Sequence, residues 1–116
     1  MSRQPQRTSR DPTLIDAQTE GMAASFLGIL RSHFPELAQR YHIRTLGIFG
    51  SYVRNEQTSA SDLDVLVEYT QTPSLFRYLE LEYQLTDLLG VKVDLIMKEA
   101  LKPAIGERVL REVVSV

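Results

Sequence analysis

The chain has 116 residues, a formal net charge of −2 at pH 7 and no cysteine. With 43% hydrophobic residues it can form one compact domain with a modest core. The slight negative charge excludes a broad basic surface, so direct binding to nucleic acid is not expected. Disulfides and thiolate metal sites are excluded, and no segment resembles a membrane span or a signal peptide. We therefore predict a soluble cytoplasmic protein that does not bind membranes.

The chain begins with a segment rich in arginine and proline that has almost no apolar side chains. Because burial cannot offset the entropy cost of ordering it, we predict a disordered tail over residues 1–13 and a single domain over residues 14–116. A nucleic-acid-binding arm is the less favoured interpretation of the tail. Apolar residues then recur at helical spacing over residues 14–30, and Pro35 is predicted to end this helix and begin a short second one over residues 36–41.

The first predicted strand, residues 44–49, runs into Gly50 and Ser51. Glycine permits an unusual backbone angle and close approach by a ligand, and residues 51–55 are predicted to begin a helix. Free backbone amides, a hydroxyl and a helix start favour a negative group, for which a triphosphate is the natural candidate. Arg54 lies one turn further on and can offer forked donors to the same phosphates, or it can be an ordinary ion-paired surface residue.

Ten residues separate Ser51 from an Asp-x-Asp pair, which opens the second predicted strand, residues 62–69. Strand alternation places Asp62 and Asp64 on one face and an apolar set on the other. Two such carboxylates can converge on hard cations such as Mg²⁺, and a carboxylate pair can bridge two ions about 3.5 to 4 Å apart. A third predicted strand, residues 91–97, carries Asp94, which can complete such a site.

The remaining elements are predicted to frame these strands. Residues 75–89 form a helix that starts after Ser74 and ends at Gly90. Residues 105–112 form a short helix, and residues 113–116 form an edge strand or a tail. The helix at 75–89 has an apolar stripe that is predicted to be core, and no chemistry is assigned to its tyrosines; its members are Leu75, Tyr78, Leu79, Leu85, Leu88 and Leu89.

Each motif alone has an ordinary structural interpretation: a turn, a solvated strand edge or an acid that faces a loop. Their conjunction favours a functional site, because three consecutive strands each deliver a polar residue to one cleft. The pattern Gly-Ser, ten residues, Asp-x-Asp and a later strand Asp resembles the minimal nucleotidyltransferase (MNT) branch of the DNA polymerase β-like nucleotidyltransferase superfamily. The residues that match are Gly50, Ser51, Asp62, Asp64 and Asp94. The chain departs mildly from the family at Asn55, where many members have glycine.

The resemblance implies the nucleotidyltransferase fold, of the α/β (α+β) class, with a small mixed sheet of three to four strands flanked by helices. It implies that Asp62, Asp64 and Asp94 hold Mg²⁺, and that Asp94 also helps to activate an attacking hydroxyl. Gly50 and Ser51 would hold the β- and γ-phosphates of ATP. Attack on the α-phosphorus would release pyrophosphate and leave a nucleotidyl group on the acceptor.

Small proteins of this family resemble the antitoxin half of a toxin–antitoxin pair whose partner is a HEPN-domain ribonuclease. The resemblance implies that the transferase places AMP on a tyrosine of this toxin and silences it. Two other hypotheses stay open. The protein could neutralise its partner by binding alone, through residues 14–41 and 105–116, or it could act alone on a small molecule or RNA. The last is least favoured because no second domain or basic stripe offers an acceptor site.

Overall fold

A computed structural model of the chain describes residues 21–116, so the predicted tail and the start of the first predicted helix lie outside the described residues. In this part of the chain, no helix is both long enough and apolar enough to cross a membrane. The elements in chain order are α1 (Gly21–Tyr41), β1 (Ile43–Phe49), β2 (Leu63–Tyr69), α2 (Leu75–Leu89), β3 (Val93–Met97), a 3₁₀ turn (Lys98–Ala100), α3 (Pro103–Glu112) and β4 (Val114–Ser115).

The strands form one mixed sheet in the order β3-β2-β1-β4. β1 pairs antiparallel with β2 and with β4, while β2 and β3 are parallel. The parallel pair requires a crossover connection, which α2 supplies. The predicted α+β fold with a small mixed sheet is confirmed, and the chain's last residues contribute its edge strand.

The two faces of the sheet are covered unequally. α1 and α2 pack on one face, where most of the core lies, and α3 packs on the other over a small cluster of Phe49, Leu66 and Val109. The alternation predicted for β2 is confirmed, because Leu63, Val65 and Val67 all belong to the main core. The acidic positions of β2 therefore lie on the less covered face.

The predicted break at Pro35 is wrong. α1 continues through this residue as a single helix. Proline removes one helical hydrogen bond and costs about 3 kcal/mol in a helix interior. Leu30 on one side of Pro35 and Leu37 on the other are buried in the same core cluster. A continuous helix buries both, at about 1.5 to 3 kcal/mol for each fully buried leucine, and this packing offsets the local penalty.

The predicted ends of α2 are confirmed, but two of its six predicted core residues are exposed. Ser74 caps the first turn by accepting a hydrogen bond from the Arg77 amide, and Gly90 ends the helix with φ 76°. Leu75 and Leu79, which the sequence pattern places in the core, are 72% and 49% exposed. The helix carries two apolar stripes at four-residue spacing, and the sheet covers the one that contains Leu81, Leu85 and Leu89.

Candidate active site

Gly50 turns the chain at the end of β1 with φ 87°, an angle that favours glycine. Its carbonyl accepts hydrogen bonds from the amides of Val53 at 3.0 Å and Arg54 at 3.2 Å. Residues 51–55 form hydrogen-bonded turns, so the predicted start of a helix there is wrong. The turn closes at Asn55, whose φ of 58° is left-handed and does not propagate a helix. Asparagine adopts this angle more readily than most residues, so Asn55 is compatible with this turn.

The Gly-Ser turn and the Asp-x-Asp strand meet directly. Asp64 is the antiparallel partner of Phe49, the residue before Gly50. A Cβ atom built on Gly50 would lie 2.1 Å from Oδ2 of Asp64. Only a residue without a side chain leaves room for this carboxylate. Gly50 therefore permits both the backbone angle of the turn and the observed position of the Asp64 carboxylate.

The three predicted acids lie close together at one end of the sheet. Asp64 on β2 is the register partner of Asp94 on β3, and neighbouring strands are about 4.8 Å apart. Asp62 precedes β2 by one residue and is 3.7 Å from the Nζ atom of the exposed Lys92. Asp94 is exposed, while Asp62 and Asp64 are partly buried. Phe49, Asp64 and Asp94 thus stand in one row across three adjacent strands.

Among these acids, Asp64 has a strongly shifted pKa. Partial burial, together with the negative charges of Asp94 and Asp62, raises the pKa of Asp64 from 3.8 to about 6. Arg54 acts in the opposite direction, and Glu112 adds to the increase. Clustered carboxylates that disfavour each other's ionised forms attract a cation.

Magnesium prefers oxygen ligands and commonly takes only one or two carboxylates, with water and substrate phosphates completing its shell. Asp62, Asp64 and Asp94 offer carboxylate oxygens, which are the type of ligand that magnesium prefers. Among residues 21–116, however, no three histidine, cysteine or acidic side chains close around a single point. The acids form an open row rather than a finished cage, so a bound cation would need further ligands from solvent or substrate.

The predicted phosphate donors have a partner that the sequence analysis did not identify. Glu112, the last residue of α3, accepts a hydrogen bond from the Gly50 amide through Oε2 at 2.6 Å and from Nη1 of Arg54 through Oε1 at 2.6 Å. Nε of Arg54 also donates to Glu56 at 2.9 Å. Partial burial alone would raise the pKa of Glu112, but the hydrogen bonds from Arg54 and Gly50 outweigh it and the pKa is lowered. No local pattern signals this role, because Glu112 is 62 residues from Gly50.

Side chains of α2 bind the outer edge of β3 on both sides of Asp94. Thr86 accepts a hydrogen bond from the Val93 amide through Oγ1 at 3.0 Å, and Glu82 accepts one from the Leu95 amide through Oε2 at 2.9 Å. The hydroxyl of Tyr78 donates to the Leu95 carbonyl. These three residues are four positions apart and so share one helix face. They pair the backbone of an edge strand and hold Asp94 in register with Asp64.

Comparison with known proteins gives consistent results. Residues 30–116 match the family model of the nucleotidyltransferase domain. The chain is 51% identical over 88 residues to the protein adenylyltransferase MntA of Thermococcus cleftensis, an alignment that covers 76% of this chain and 89% of that protein.

Solved structures share the fold. A provisionally named minimal nucleotidyltransferase superposes with a TM-score of 0.66 and 33% identity, covering 84% of this chain and 95% of that one. A complex of the tri-AMPylated HEPN toxin of Shewanella oneidensis with an MNT antitoxin gives a TM-score of 0.53 at 20% identity, covering 84% of this chain and 70% of that one. At this identity the second likeness concerns the fold alone.

Proposed function

This chain belongs to the nucleotidyltransferase family, and we propose that it is a protein adenylyltransferase that transfers AMP from ATP to a hydroxyl group of a partner protein. The observation that carries the proposal is the position of Asp64, which lies against the Gly50 turn on one side and beside Asp94 on the other. A nucleotide bound by the turn would have its phosphates beside the acids. The name of the Thermococcus cleftensis relative supports protein as the acceptor.

We propose that the acceptor is a tyrosine hydroxyl of a HEPN-domain toxin and that the chain acts as its antitoxin. The complex of an AMPylated HEPN toxin with an MNT antitoxin, which has the same fold, supports this pairing. Within the proposal, residues 14–116 form the single catalytic domain, residues 1–13 form a tail outside it, and the reaction takes place in the cytoplasm, where ATP is available.

In the proposed reaction, Gly50, Ser51 and Arg54 hold the β- and γ-phosphates through an amide, a hydroxyl and a guanidinium group. Mg²⁺ held by Asp62, Asp64 and Asp94 would neutralise phosphate charge and stabilise the attacking and leaving oxygens. The acceptor oxygen forms a bond to the α-phosphorus as the bond to the bridging oxygen breaks, and pyrophosphate leaves. The hydroxyl proton passes to the carboxylate of Asp94, whose exposure leaves it accessible to a docked protein.

The direct test is transfer of label from α-labelled ATP to the product of the neighbouring gene in the presence of Mg²⁺. We expect one or more labelled tyrosines on the partner, and loss of at least 100-fold in rate when Asp62 and Asp64 are both replaced by alanine. Asp87→Ala, which removes an exposed acid from α2, is the matched control and should retain full activity. Absence of label on the partner with the intact protein would reject the proposal.

A second function, neutralisation by binding alone, is favoured by one observation. The helices carry large apolar side chains that are exposed, among them Phe76 at 74% and Tyr83 at 75% on α2 and Ile105 at 52% on α3. Such surface could bind a partner without help from the acids. The double Asp62→Ala and Asp64→Ala variant separates the two functions. If it still neutralises the partner fully, binding is sufficient and transfer is not required.

A further inference from the structure

The phosphate donors that the proposed function assigns to the Gly50 turn are bound by a carboxylate of the same chain. The two oxygens of Glu112 each accept one hydrogen bond of 2.6 Å, from the backbone amide of Gly50 and from the guanidinium group of Arg54. A backbone amide at a turn and an arginine fork are the donors that a phosphate group uses. A carboxylate presents two oxygens and one negative charge to the same pair.

Glu112 is the last residue of α3, a position at which the helix itself does not favour a negative charge. A negative charge at a helix C-terminus is unfavourable by about 0.3 to 1 kcal/mol, because the carbonyl ends already carry partial negative charge. The side chain is nevertheless turned into the site, where it is 19% exposed. Glu107, on the same helix, has a side chain that is 78% exposed and pairs with Arg111 at 3.4 Å. The site, rather than the helix, accounts for the position of the Glu112 carboxylate.

We propose that Glu112 is an internal competitor of the triphosphate: it occupies the phosphate-binding donors in the nucleotide-free protein and leaves them when a polyphosphate binds. The inference rests on the proposed function, because it takes Gly50 and Arg54 as the donors to phosphate. Its consequence is quantitative. If the donors are free of Glu112 in about one molecule in ten, the apparent dissociation constant of the polyphosphate is about tenfold higher than that of the open site.

The contacts around Arg54 permit this exchange. Nε of Arg54 donates to Glu56 at 2.9 Å, whereas a different nitrogen, Nη1, donates to Glu112. Departure of Glu112 therefore leaves Arg54 with one carboxylate partner that still orients it. Rotation of a single side chain at the end of α3 is sufficient to free both donors, so no element of the sheet needs to move.

The test measures binding of inorganic triphosphate by calorimetry in EDTA, so that neither the base nor a metal contributes. Glu112→Gln removes the charge that competes with phosphate, and Glu112→Asp keeps the charge but shortens the side chain, so that it cannot reach both donors. We expect both variants to bind inorganic triphosphate about tenfold more tightly than the natural sequence. Glu107→Gln, which removes an exposed acid from the same helix, is expected to bind as the natural sequence does.

Unchanged or weaker binding by both Glu112 variants, with measurable binding by the natural sequence, would overturn the inference and leave the proposed function standing. If neither the natural sequence nor the variants bind inorganic triphosphate, or ATP with Mg²⁺, the proposed function itself fails and the inference with it. A readout independent of the variants is the Gly50 amide resonance of the natural protein. It should shift on triphosphate addition as its acceptor changes, and a resonance that does not move under saturating triphosphate would also overturn the inference.

Discussion

The carboxylate of Asp64 lies where a side chain on Gly50 would begin, with Oδ2 only 2.1 Å from the Cβ position. This contact joins the two motifs that the sequence separates by ten residues. The antiparallel pairing of β1 with β2 brings Phe49 opposite Asp64, and Gly50, the next residue, lies against the acid. The spacing of the motifs is thus the length of chain needed to leave β1, form the turn and return along β2.

Replacement of Gly50 by alanine is expected to separate stability from activity. A side chain at positive φ costs about 1 to 2 kcal/mol. The added Cβ also meets the Asp64 carboxylate, which must rotate away, so transfer should fall by at least 100-fold. Gly90→Ala is the matched control: its φ is 76°, but nothing lies within 4 Å of its Cβ position. Urea unfolding should show similar losses in the free energy of unfolding for the two variants, and only Gly50→Ala should lose AMP transfer. Equal transfer activity in the two variants would show that the close approach of Gly50 to the Asp64 carboxylate does not matter for the reaction.

Asp64 should make the metal-free protein less stable as the pH rises from about 4 to about 6. Its pKa is about 6 in the folded chain, against an ordinary value of 3.8, so the folded state binds more protons in this window. The free energy of unfolding therefore falls as pH rises, by about 1 kcal/mol once solvent screening of this partly exposed group is allowed for. Urea unfolding in EDTA at several pH values measures how the free energy of unfolding changes with pH.

Asp64→Asn removes the titrating group and should therefore be more stable than the natural sequence by about 1 kcal/mol at pH 8, with no difference near pH 3. Asp87→Asn, an exposed acid on α2, is the control for a general change in net charge. A variant at Asp64 that is less stable than the natural sequence at pH 8 would show that its carboxylate makes a favourable contact in the folded chain.

Magnesium with ATP should stabilise the natural sequence and should have little effect on variants in which Asp64 or Asp94 is replaced by asparagine. A ligand present at 100 times its dissociation constant stabilises the folded state by about 2.7 kcal/mol. We expect a rise in melting temperature that EDTA reverses, that is lost in Asp64→Asn and Asp94→Asn, and that persists in Asp87→Asn. An undiminished rise in the two site variants would locate the metal elsewhere.

Much of the fold and of the candidate site is predictable from the sequence because local rules apply to it. The alternation of β2 separates acids from core residues, Ser74 and Gly90 mark the ends of α2, and the glycine at position 50 marks a turn. These features depend on neighbours in the chain. They place Asp64 and Asp94 side by side, because these consecutive strands are adjacent in the sheet.

The features that the sequence does not reveal depend on packing or on distant residues. Pro35 stays inside α1 because leucines on both sides reach one core. The choice between the two apolar stripes of α2 depends on which face meets the sheet. Glu112 reaches Gly50 and Arg54 only through the antiparallel return of the chain end along β1. None of these has a signal within a short window of sequence.

Asn55 should tolerate glycine but not alanine. Its φ of 58° is accessible to asparagine and glycine and is unfavourable for other residues. Asn55→Ala should lower the free energy of unfolding by about 1 kcal/mol, while Asn55→Gly should stay within about 0.5 kcal/mol of the natural sequence. Urea unfolding measures both. Equal stability of the alanine and glycine variants would indicate that the turn relaxes to another conformation.

The bond between Thr86 and the Val93 amide should be required for the order of β3 and, through it, for the position of Asp94. Thr86→Val keeps the shape of the side chain but leaves the partly buried amide without its acceptor, which costs about 1 to 3 kcal/mol. Thr86→Ser retains the hydroxyl and is the matched control. We expect hydrogen exchange at the Val93 amide to accelerate at least tenfold in Thr86→Val and much less in Thr86→Ser. Because Asp94 adjoins Val93, the rate of AMP transfer should fall more in Thr86→Val than in Thr86→Ser. If exchange at the Val93 amide stays slow in Thr86→Val, the sheet alone holds this edge.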